Sequence, residues 1–308
     1  MSTLIIGQAG IATSVQDSGR AGTLQLGIPP SGAMDPYALV SGQHQLGHVH
    51  DEAALEMAYA DLIARSTHDC HIVITGAPVT LAIDDQCLDP RKIHAIKAGQ
   101  TLSIRATKIG IYSYLHISGG IATEPVFQSR STSPREVIGG FEGRYLRDGD
   151  TLPIGPTHSR PSRDGPLLDL SPSPSTLTLR FVPGFQHDEF SPAAMSALLG
   201  TEFSVTPSAN RMGVKLSRGG LHSGIESLLS EATCYGAIQI PPDGAPIVLL
   251  NDRQTVGGYP KPGAVISSDC ARLAQARPGQ KVRFVSCSAE EADRIQWLER
   301  HFVETRLQ

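Results

Sequence analysis

Short apolar or alternating runs, separated by Gly and Pro, recur along the whole 308-residue chain. Typical runs are HIVITGAPVTLAI, GIYSYLHIS, LTLRFVPG, GAIQIP and PIVLL. The 31 glycines and 22 prolines supply turn signals every few residues. Many short strands with frequent turns are typical of barrels and sandwiches, so the pattern predicts a mainly β protein rather than a Rossmann-type α/β sheet.

One short pattern occurs three times, at 97–105 (KAGQTLSIR), 147–155 (RDGDTLPIG) and 277–285 (RPGQKVRFV). Each copy has a Gly, then Gln or Asp, then apolar residues at alternate positions, which predicts a turn that feeds a strand. The second copy lies in mid-chain and the third near the C-terminus. This placement suggests two β-domains that finish on similar strands, although such patterns also recur by chance in β-rich chains.

A segment in the middle of the chain, GPTHSRPSRDGPLLDLSPSPS, is rich in Pro, Ser and Gly and has no apolar periodicity. This composition is typical of a connection between domains. A chain of this length is also near the limit for one hydrophobic core. We therefore predict a first domain at 1–156, a linker at 157–176 and a second domain at 177–308.

Few helices are predicted. Asp-Pro at 35–36 and Ser-Pro at 191–192 each combine an N-cap residue with a proline in the first helical turn. The segment 288–302 begins with a Ser-x-x-Glu capping box. Its helical periodicity predicts one face that packs on the second domain, formed by Ala292, Ile295, Leu298 and Phe302.

Composition narrows the function classes. The net charge of −4 and the 5% aromatic content give no footprint for nucleic acid or an anionic membrane. No apolar segment approaches the roughly 18 residues of a membrane span, and the N-terminus does not resemble a signal peptide. The five cysteines are scattered and form no C-x-x-C pair. These features predict a cytoplasmic protein with reduced thiols and no nucleic-acid or membrane partner.

Several common site motifs are absent from the sequence, including the phosphate-binding P-loop, G-x-G-x-x-G after a strand, H-E-x-x-H and G-x-S-x-G. His44 and His48 have a spacing that metal ligands can use, and His50 and Asp51 follow closely. Neither cysteine ligands nor a carboxylate in an obvious position to hold a ligating histidine accompanies them. We therefore expect these histidines on a helix surface and no metal.

Five polar clusters next to glycines carry the candidate chemistry. They hold Gln16, Asp17 and Arg20 in 14–22; Ser31 and Asp35 in 29–35; Arg130, Ser131, Thr132 and Arg135 in 129–144; Arg211 in 208–216; and Asp252, Arg253, Gln254, Thr255, Tyr259 and Lys261 in 251–263. A guanidinium beside small hydroxyls and glycine amides suits a carboxylate or a phosphate. The same charges can instead lock a loop through a partly buried ion pair.

Motifs in both halves of the chain resemble one family. In the first half they are GIATSVQDSGRAG…LGIPPSGAMDPYAL, ALEMA, TGAPVTL, SGGI and SRST…GGFEGRYLRDGD. In the second half they are FVPGFQ, NRMGVKL and SEATCYGAIQIPPDGAPIVLLNDRQTVGGYPKPGAV. Together they cover about residues 4–286 and resemble the biotin-dependent carboxyltransferase-like family. That family includes the C subunit of bacterial ATP-hydrolysing 5-oxoprolinase, allophanate hydrolase subunit 2, the KipI antagonists and a region of urea carboxylase.

The resemblance implies two cyclophilin-like β-barrel domains with a few short helices. It also implies a B-type (KipI-like) partner subunit, with which the chain builds one active site, and an A-type 5-oxoprolinase subunit. The specific block GAIQ…DRQT-GGYPK adds Gln239 to the candidate residues. We expect catalytic roles for Lys261, Arg211, Asp252 and Arg253. We expect substrate contacts from Gln16, Asp17, Arg20, Ser31, Asp35, Arg130, Ser131, Thr132, Gln239, Gln254, Thr255 and Tyr259.

Three functions are compatible with the resemblance. In the first, the complex uses ATP, bound at the level of the complex, to open 5-oxoproline to glutamate. Arg211, Arg253 and Lys261 would then stabilise the developing negative charge, and Asp252 or Asp17 would hold these cations or act as a base.

In the second, a biotin carried on another chain delivers CO2 to an amide nitrogen such as that of urea. Lys261 or Arg253 would then bind the carboxylate or the biotin ureido oxygen. In the third, the chain is a non-catalytic KipA-like antagonist of a kinase inhibitor. The first two functions require a common hollow for a small anionic or amide-bearing molecule, with Arg130, Arg211 and Lys261 at its wall.

Overall fold

Strands dominate the structure, and the prediction of a mainly β protein with a few short helices is confirmed. The computed structural model describes residues 2–157, 175–217, 220–225 and 228–307. Most of the predicted linker at 157–176 lies outside these described residues, and the boundaries predicted there remain predictions.

The chain divides into two compact units. The first unit comprises Met1–Gly22, Pro30–Ser171 and Val303–Gln308, and the second comprises Thr23–Pro29 and Pro172–Phe302. No helix within the described ranges is both long and apolar enough to cross a membrane.

The first unit is built from two antiparallel sheets and one helix. Its strands are β1 (Thr3–Gln8), β2 (Ala12–Gln16), β3 (Ala54–Ala58), β4 (Asp61–Ser66), β5 (Cys70–Gly76), β6 (Val79–Ile83), β7 (Gln86–Leu88), β8 (His94–Ile96), β9 (Thr101–Ala106), β10 (Tyr112–Ile117) and β11 (Thr151–Pro153), and its helix is α1 (Pro36–Gln45). One sheet has the order β11-β1-β4-β9-β6-β7 and the other the order β2-β3-β10-β5-β8.

Alternate positions on the strands of both sheets contribute to one apolar core, which includes Ile6, Leu55, Leu62, Ile104 and Leu115. This alternation is what a strand with one buried face requires.

Helix α1 packs closely on the five-stranded sheet. The Asp35 side chain caps it by accepting a hydrogen bond from the Ala38 amide at 3.0 Å, as the Asp-Pro signal predicts. A Cβ on Gly42 would lie 2.2 Å from the ring of His116 on β10, so only glycine permits this approach. Thr75 on β5 donates to the Ala38 carbonyl at 2.7 Å and lies 3.0 Å from His116 Nε2. Polar contacts therefore join the helix to the sheet.

The second unit has three smaller sheets and three helices. Its strands are β12 (Thr176–Pro183), β13 (Phe203–Ser204), β14 (Gly213–Lys215), β15 (Glu231–Ala232), β16 (Ile238–Gln239), β17 (Ile247–Leu249), β18 (Val256–Gly257), β19 (Gly263–Val265) and β20 (Lys281–Ser286). Its helices are α2 (Pro192–Gly200), α3 (Ser267–Ala274) and α4 (Ala289–Leu307), of which the residues from Val303 onward are grouped with the first unit. The sheet orders are β13-β20-β12-β19, β14-β17-β16 and β15-β18. Only the β12–β20 pair among these described strands is parallel.

The sequence pattern that occurs three times forms the same kind of turn at each site. Gly99, Gly149 and Gly279 have φ of 88°, 91° and 90°. In each copy the amide after the glycine donates to the carbonyl two residues before it, at 3.1, 3.1 and 3.0 Å. A positive φ at the third position of such a turn favours glycine. The turns lead into β9, β11 and β20, so the predicted turn and strand are confirmed at all three sites.

Two helices begin at the capping serines that the sequence predicts. Ser191 accepts from the Ala194 amide at 3.1 Å at the start of α2, and Ser288 accepts from the Glu291 amide at 3.1 Å at the start of α4. Helix α3 was not predicted from the sequence, because its N-cap is Ile266 and no side chain caps it.

The predicted buried face of α4 is wrong at two positions, since Leu298 is 52% and Phe302 is 50% exposed. The half-buried positions among the described residues are Ala292, Ile295, Glu299 and Val303. Glu299 lies 3.9 Å from Arg180 and 3.6 Å from Arg272, so part of the inner side of the helix is occupied by charged contacts. Trp297 is 62% exposed and stacks on His301 with ring centroids 5.2 Å apart.

Candidate functional site

In the first unit, a buried carboxylate organises the loop that follows β2. Asp17 is 3% exposed and accepts hydrogen bonds from the hydroxyls of Ser129 and Ser131, both at 2.6 Å. It also accepts from the amides of Gly19, at 2.9 Å, and Arg130. All four donors are neutral, and they satisfy a carboxylate that burial would otherwise destabilise. We call residues 14–20 and 129–132 the Asp17 cluster.

The rest of the Asp17 cluster joins the same two segments. Gln16 Nε2 donates to the Thr132 carbonyl at 3.1 Å, and the Thr132 amide donates to the Val15 carbonyl at 2.9 Å. Arg20 Nη2 donates to the Ser131 carbonyl. A Cβ on Gly139 would clash with this Arg20 nitrogen, so the glycine leaves room for the contact. The structure thus brings together Gln16, Asp17 and Arg20 with Arg130, Ser131 and Thr132, and most of these contacts hold the loops in place. Arg135, the other candidate in 129–144, instead lies 3.9 Å from Glu136 with an exposed side chain.

Arg130 differs from its neighbours in the Asp17 cluster. Only its backbone amide contacts Asp17, while its side-chain Nε donates to the Thr123 carbonyl at 2.7 Å. The half-buried guanidinium forms no ion pair with any residue in the described ranges. Its positive charge therefore remains available to an anion.

Ser31 and Asp35 lie in a tightly held segment of the first unit. Ser31 is buried with φ of 56°, an unusual conformation for a residue other than glycine. The Asp35 amide donates to the Tyr114 hydroxyl at 2.8 Å, and that hydroxyl donates to Glu56 at 2.7 Å. Burial raises the pKa of Tyr114 well above its usual value, so the phenol stays a donor. Buried Glu56 was missed in the sequence, where ALEMA reads as an ordinary strand.

In the second unit, Arg211 and Asp252 form a buried, two-pronged ion pair. Arg211 Nε donates to one carboxylate oxygen at 2.7 Å and Nη2 to the other at 3.0 Å. The two residues are 5% and 4% exposed. The Asp252 amide also donates to the Arg211 carbonyl at 3.0 Å. This pair has the geometry of a loop lock, one of the two interpretations that the sequence allows.

Arg253 lies next to that ion pair and has no carboxylate of its own. Its side chain is buried, with 5% exposure, and its Nε has no hydrogen-bond partner. Nη1 reaches the Leu250 carbonyl at 3.5 Å, a long contact. Burial lowers the pKa of the guanidinium, with an opposing effect from the nearby Cys234, Tyr235 and Cys270. An arginine stays protonated at neutral pH, so this is a buried positive charge that no carboxylate in the described ranges compensates.

Lys261 belongs to a network that includes two residues missed in the sequence. Its ammonium lies 2.7 Å from Glu231, and its amide donates to Gln186 Oε1 at 2.8 Å. Gln186 Nε2 donates to Glu231 at 2.6 Å. Gln186 is the last residue of the FVPGFQ motif, which the sequence distinguishes only through the family resemblance. Its link to Lys261 spans 75 residues and leaves no local sequence signal.

The other candidates in this loop hold it against its neighbours. Gln254 Nε2 donates to Gln239 Oε1 at 3.2 Å, while Gln239 Nε2 is buried without a partner. The Thr255 carbonyl accepts from the Thr233 amide at 3.0 Å. A Cβ on Gly257 would lie 2.6 Å from Gln239 Nε2, so this glycine allows the loop to close on the glutamine. Tyr259 is 44% exposed.

Large apolar side chains project from the same region of the second unit. They are Phe185, next to Gln186, Leu229, near Gly258, and Val256 and Tyr259 in the loop itself. Phe185 and Leu229 are almost fully exposed. Exposed apolar groups of this size next to a charged network are typical of interaction surfaces.

The predicted surface position of His48 is wrong. Its side chain is 4% exposed, and Nε2 lies 3.1 Å from the Ile117 carbonyl. Burial lowers its pKa despite Glu52 at 3.9 Å. Within the described part of the chain, no three His, Cys, Asp or Glu side chains come together as a metal site would need.

The candidate residues fall into two groups by their chemistry. Asp17, Arg211, Asp252 and Lys261 already have strong partners, whereas Arg130 and Arg253 are cations without carboxylates among the described residues. Arg130 belongs to the first unit and Arg211 and Lys261 to the second, and the common hollow predicted for them remains a prediction. What the arrangement offers chemically is preorganised positive charge for an anion, with rigid loops around it.

Comparison with known proteins connects these loops to a family. The family model of the carboxyltransferase domain, subdomain A and B, matches residues 26–286. The C subunit of the 5-oxoprolinase of Escherichia coli (strain K12) is 37% identical over 289 residues, which cover 92% of this chain and 91% of that protein. Its counterpart in Haemophilus influenzae is 34% identical over 284 residues, with 92% and 90% covered. The urea amidolyase of Lachancea kluyveri is 27% identical and covers 96% of this chain, which matches only 17% of that protein.

Solved structures show the same fold. The crystal structure of the K. lactis urea amidolyase superimposes with a TM-score of 0.90 at 24% identity and covers 99% of this chain. The crystal structure of TTHA0988 gives a TM-score of 0.81 at 32% identity and covers 93% of this chain. The chain spans 20% of the first of these proteins and 56% of the second. The resemblance noted in the sequence is confirmed, and the chain belongs to the carboxyltransferase domain, subdomain A and B, family.

Proposed function

We propose that this chain is the C subunit of an ATP-hydrolysing 5-oxoprolinase and opens 5-oxoproline to glutamate together with a B-type and an A-type subunit. One observation carries the proposal. The C subunit of the E. coli 5-oxoprolinase is 37% identical and matches almost end to end, with 92% of this chain and 91% of that protein covered.

The coverage distinguishes this proposal from a carboxylase function. The urea amidolyase of L. kluyveri is much longer than this chain, which matches 17% of it. The C subunit of the H. influenzae enzyme, by contrast, is matched over 90% of its length. A chain that matches a whole subunit, rather than one part of a large enzyme, is expected to act with separate partner chains.

Ring opening of 5-oxoproline requires positive charge near the substrate, and the loops that carry Arg130 and Arg253 hold such charge. Opening the lactam consumes one water, and the coupled hydrolysis of ATP consumes a second, so that 5-oxoproline and ATP give glutamate, ADP and phosphate. Attack on the amide carbonyl develops negative charge on oxygen, which fixed cations and amides stabilise. The substrate also carries a carboxylate, so it presents a second, fixed negative charge. Arg130 in the first unit and Arg253 in the second each lack a carboxylate partner among the described residues. ATP is expected to bind at the level of the complex.

The remaining candidates hold these groups in position. Arg211 and Asp252 fix the turn that carries Arg253. The network of Lys261, Glu231 and Gln186 fixes the segment that precedes β19. Because rigid positioning is itself a large part of catalysis, these residues contribute to rate through the loop they hold. The isolated chain is expected to have no turnover.

Reconstitution tests the proposal. The chain is co-expressed with the B-type and A-type subunits of the same genome, and glutamate and ADP are measured with 5-oxoproline and ATP. Turnover is expected only when all three chains are present, and omission of each chain in turn is the control. Absence of glutamate from the full set would contradict the proposal.

A carboxyltransferase function is the second candidate, since the family model carries that name and the K. lactis urea amidolyase shares the fold at a TM-score of 0.90. Biotin would then have to be carried by another chain. The same preparation is therefore supplied with a carboxylated biotin carrier and urea. Turnover there, without glutamate release from 5-oxoproline, would establish this second function instead.

A further inference from the structure

Three arginines in the second unit can be compared by what binds the Nε–Nη2 edge of the guanidinium. The edge formed by Nε and Nη2 of Arg211 is filled by the two oxygens of Asp252, at 2.7 and 3.0 Å. The corresponding edge of Arg180 is filled by Asp269, at 2.9 and 2.7 Å. In Arg253, Nε is buried and has no partner, and Nη2 has no hydrogen bond to any residue described.

Among the residues that the structure describes, no side-chain carboxylate near Arg253 is available to fill that edge. Asp252, the adjacent residue, is bound on both oxygens by Arg211, and Asp269 is bound by Arg180. The titratable groups that approach the guanidinium are Cys234, Tyr235 and Cys270. Burial raises the pKa of the Cys270 thiol well above its usual value, so it supplies no negative charge at neutral pH.

A buried charge without a partner is costly, because the lost hydration is not replaced. Proteins keep such groups at sites where a ligand supplies the missing partner. A planar guanidinium edge matches a carboxylate through two parallel hydrogen bonds, as Arg211 and Arg180 demonstrate in this chain.

We propose that the Nε–Nη2 edge of Arg253 binds the carboxylate of the substrate, and so acts as the residue that orients and selects it. In 5-oxoproline the carboxylate lies on the ring carbon next to the nitrogen and is unchanged when the ring opens. Arg253 is therefore a substrate-binding residue rather than one that acts on the scissile amide. This inference rests on the proposed function for the identity of the substrate, but the anion site itself does not.

The first experiment uses the full chain alone, labelled with nitrogen-15, and follows the arginine Nε–H signals by NMR. The Arg253 signal is identified by its loss in Arg253→Lys. Addition of 5-oxoproline at millimolar concentration is expected to shift that signal, while 2-pyrrolidinone, the same lactam without a carboxylate, leaves it in place. Acetate serves as a second carboxylate probe. The site does not exist if neither 5-oxoproline nor acetate shifts the Arg253 signal.

The second experiment measures kinetics in the reconstituted complex. Arg253→Lys keeps the charge but loses the two-pronged edge, and Arg253→Gln loses both. We expect KM for 5-oxoproline to rise roughly 10-fold in the first and roughly 100-fold in the second, with a smaller change in kcat. The matched control is Arg283→Lys, since Arg283 is exposed and paired with Glu202 at 3.2 Å. Its KM should equal that of the wild type.

The outcomes separate the two proposals. An unchanged KM in a folded Arg253→Gln complex would overturn the inference and leave the proposed function intact. A shifted Arg253 signal in a chain whose complex releases no glutamate would support the anion site and contradict the proposed function. A fall in kcat with an unchanged KM would also overturn the inference, because it would place Arg253 at the reacting amide.

Discussion

The two units each bury a loop aspartate, and they neutralise it in opposite ways. Asp17 accepts hydrogen bonds from two serine hydroxyls and two backbone amides, all of them neutral. Asp252 instead receives a complete guanidinium edge from Arg211. In both cases one neighbouring arginine, Arg130 or Arg253, keeps a charge that the carboxylate does not cancel. Both units therefore place an aspartate with a full set of hydrogen-bond partners beside an arginine that has no carboxylate partner among the described residues. They differ only in whether the partners of the aspartate are neutral groups or a guanidinium.

The largest expected effect comes from breaking the charged pair. Asp252→Ala removes the carboxylate that fills the Nε–Nη2 edge of the buried Arg211, and we expect a loss of about 3–5 kcal/mol in the free energy of unfolding. Urea denaturation followed by circular dichroism measures it. The double variant Arg211→Met with Asp252→Leu removes both charges and should recover most of the loss. A double variant as unstable as the single one would show that the charges themselves are not the cause.

A smaller loss is expected at the neutral cluster. Asp17→Asn keeps the size of the side chain but presents an NH2 group to donors, so some of the four hydrogen bonds are lost. We expect a cost of about 1–3 kcal/mol, measured in the same way. Ser129→Ala is the matched variant. It removes one donor to Asp17 and the acceptor of the Ser131 amide, keeps the carboxylate with its other three donors, and should cost less. If Asp17→Asn destabilises the protein more than Asp252→Ala, the contrast between the two units is wrong.

Acid should act on the first unit through His116. Burial, followed by the effect of His48, lowers the pKa of His116 to about 3. Between the unfolded value near 6.5 and this folded value the unfolded chain binds the extra proton, so stability is present above pH 6.5 and falls as the pH drops through this range. We expect a loss of about 2 kcal/mol from this group between pH 7 and pH 5. Denaturation of wild type and His116→Gln at both pH values checks it, and an equal pH dependence in the variant would rule the histidine out.

The smallest effect is expected at Arg253. Arg253→Met removes a buried charge that has no carboxylate to leave behind, so stability should change by less than about 0.5 kcal/mol or should rise. Arg211→Met is the matched variant and should be strongly destabilising, because it strands Asp252. Denaturation of both variants makes the comparison directly. A large loss in Arg253→Met would show that this arginine has a structural role.

Features that depend on neighbouring residues, such as turns and helix caps, were predictable from the sequence. Contacts between residues far apart in the sequence were not. The recurrent turn at Gly99, Gly149 and Gly279 follows from three residues of sequence, because positive φ and the next strand are local properties. The N-caps Asp35 and Ser191 are equally local. Arg211 and Asp252 were both candidates, yet their pairing joins positions 41 residues apart, and no periodicity or motif encodes it.

The failures have a common physical origin. Helix α3 starts without a capping side chain, so no start signal exists in the sequence. On α4, hydrophobic spacing alone assigned Leu298 and Phe302 to the inner side, whereas the half-buried side includes Glu299, which lies near Arg180 and Arg272. Gln186 and Glu231 acquire their importance only by meeting Lys261 in space. Tertiary contacts overrode the local pattern in each case.

The outward position of Trp297 has a practical consequence for optical work on this protein. It is the single tryptophan of the chain, it is mostly solvated, and it is stacked on His301. Its fluorescence emission maximum should already be that of a solvent-exposed tryptophan in the native state. Unfolding of either β core will therefore shift that maximum little. A partner that covers the C-terminal helix would instead shift the emission to the blue, which makes native fluorescence a direct reporter of assembly at that helix.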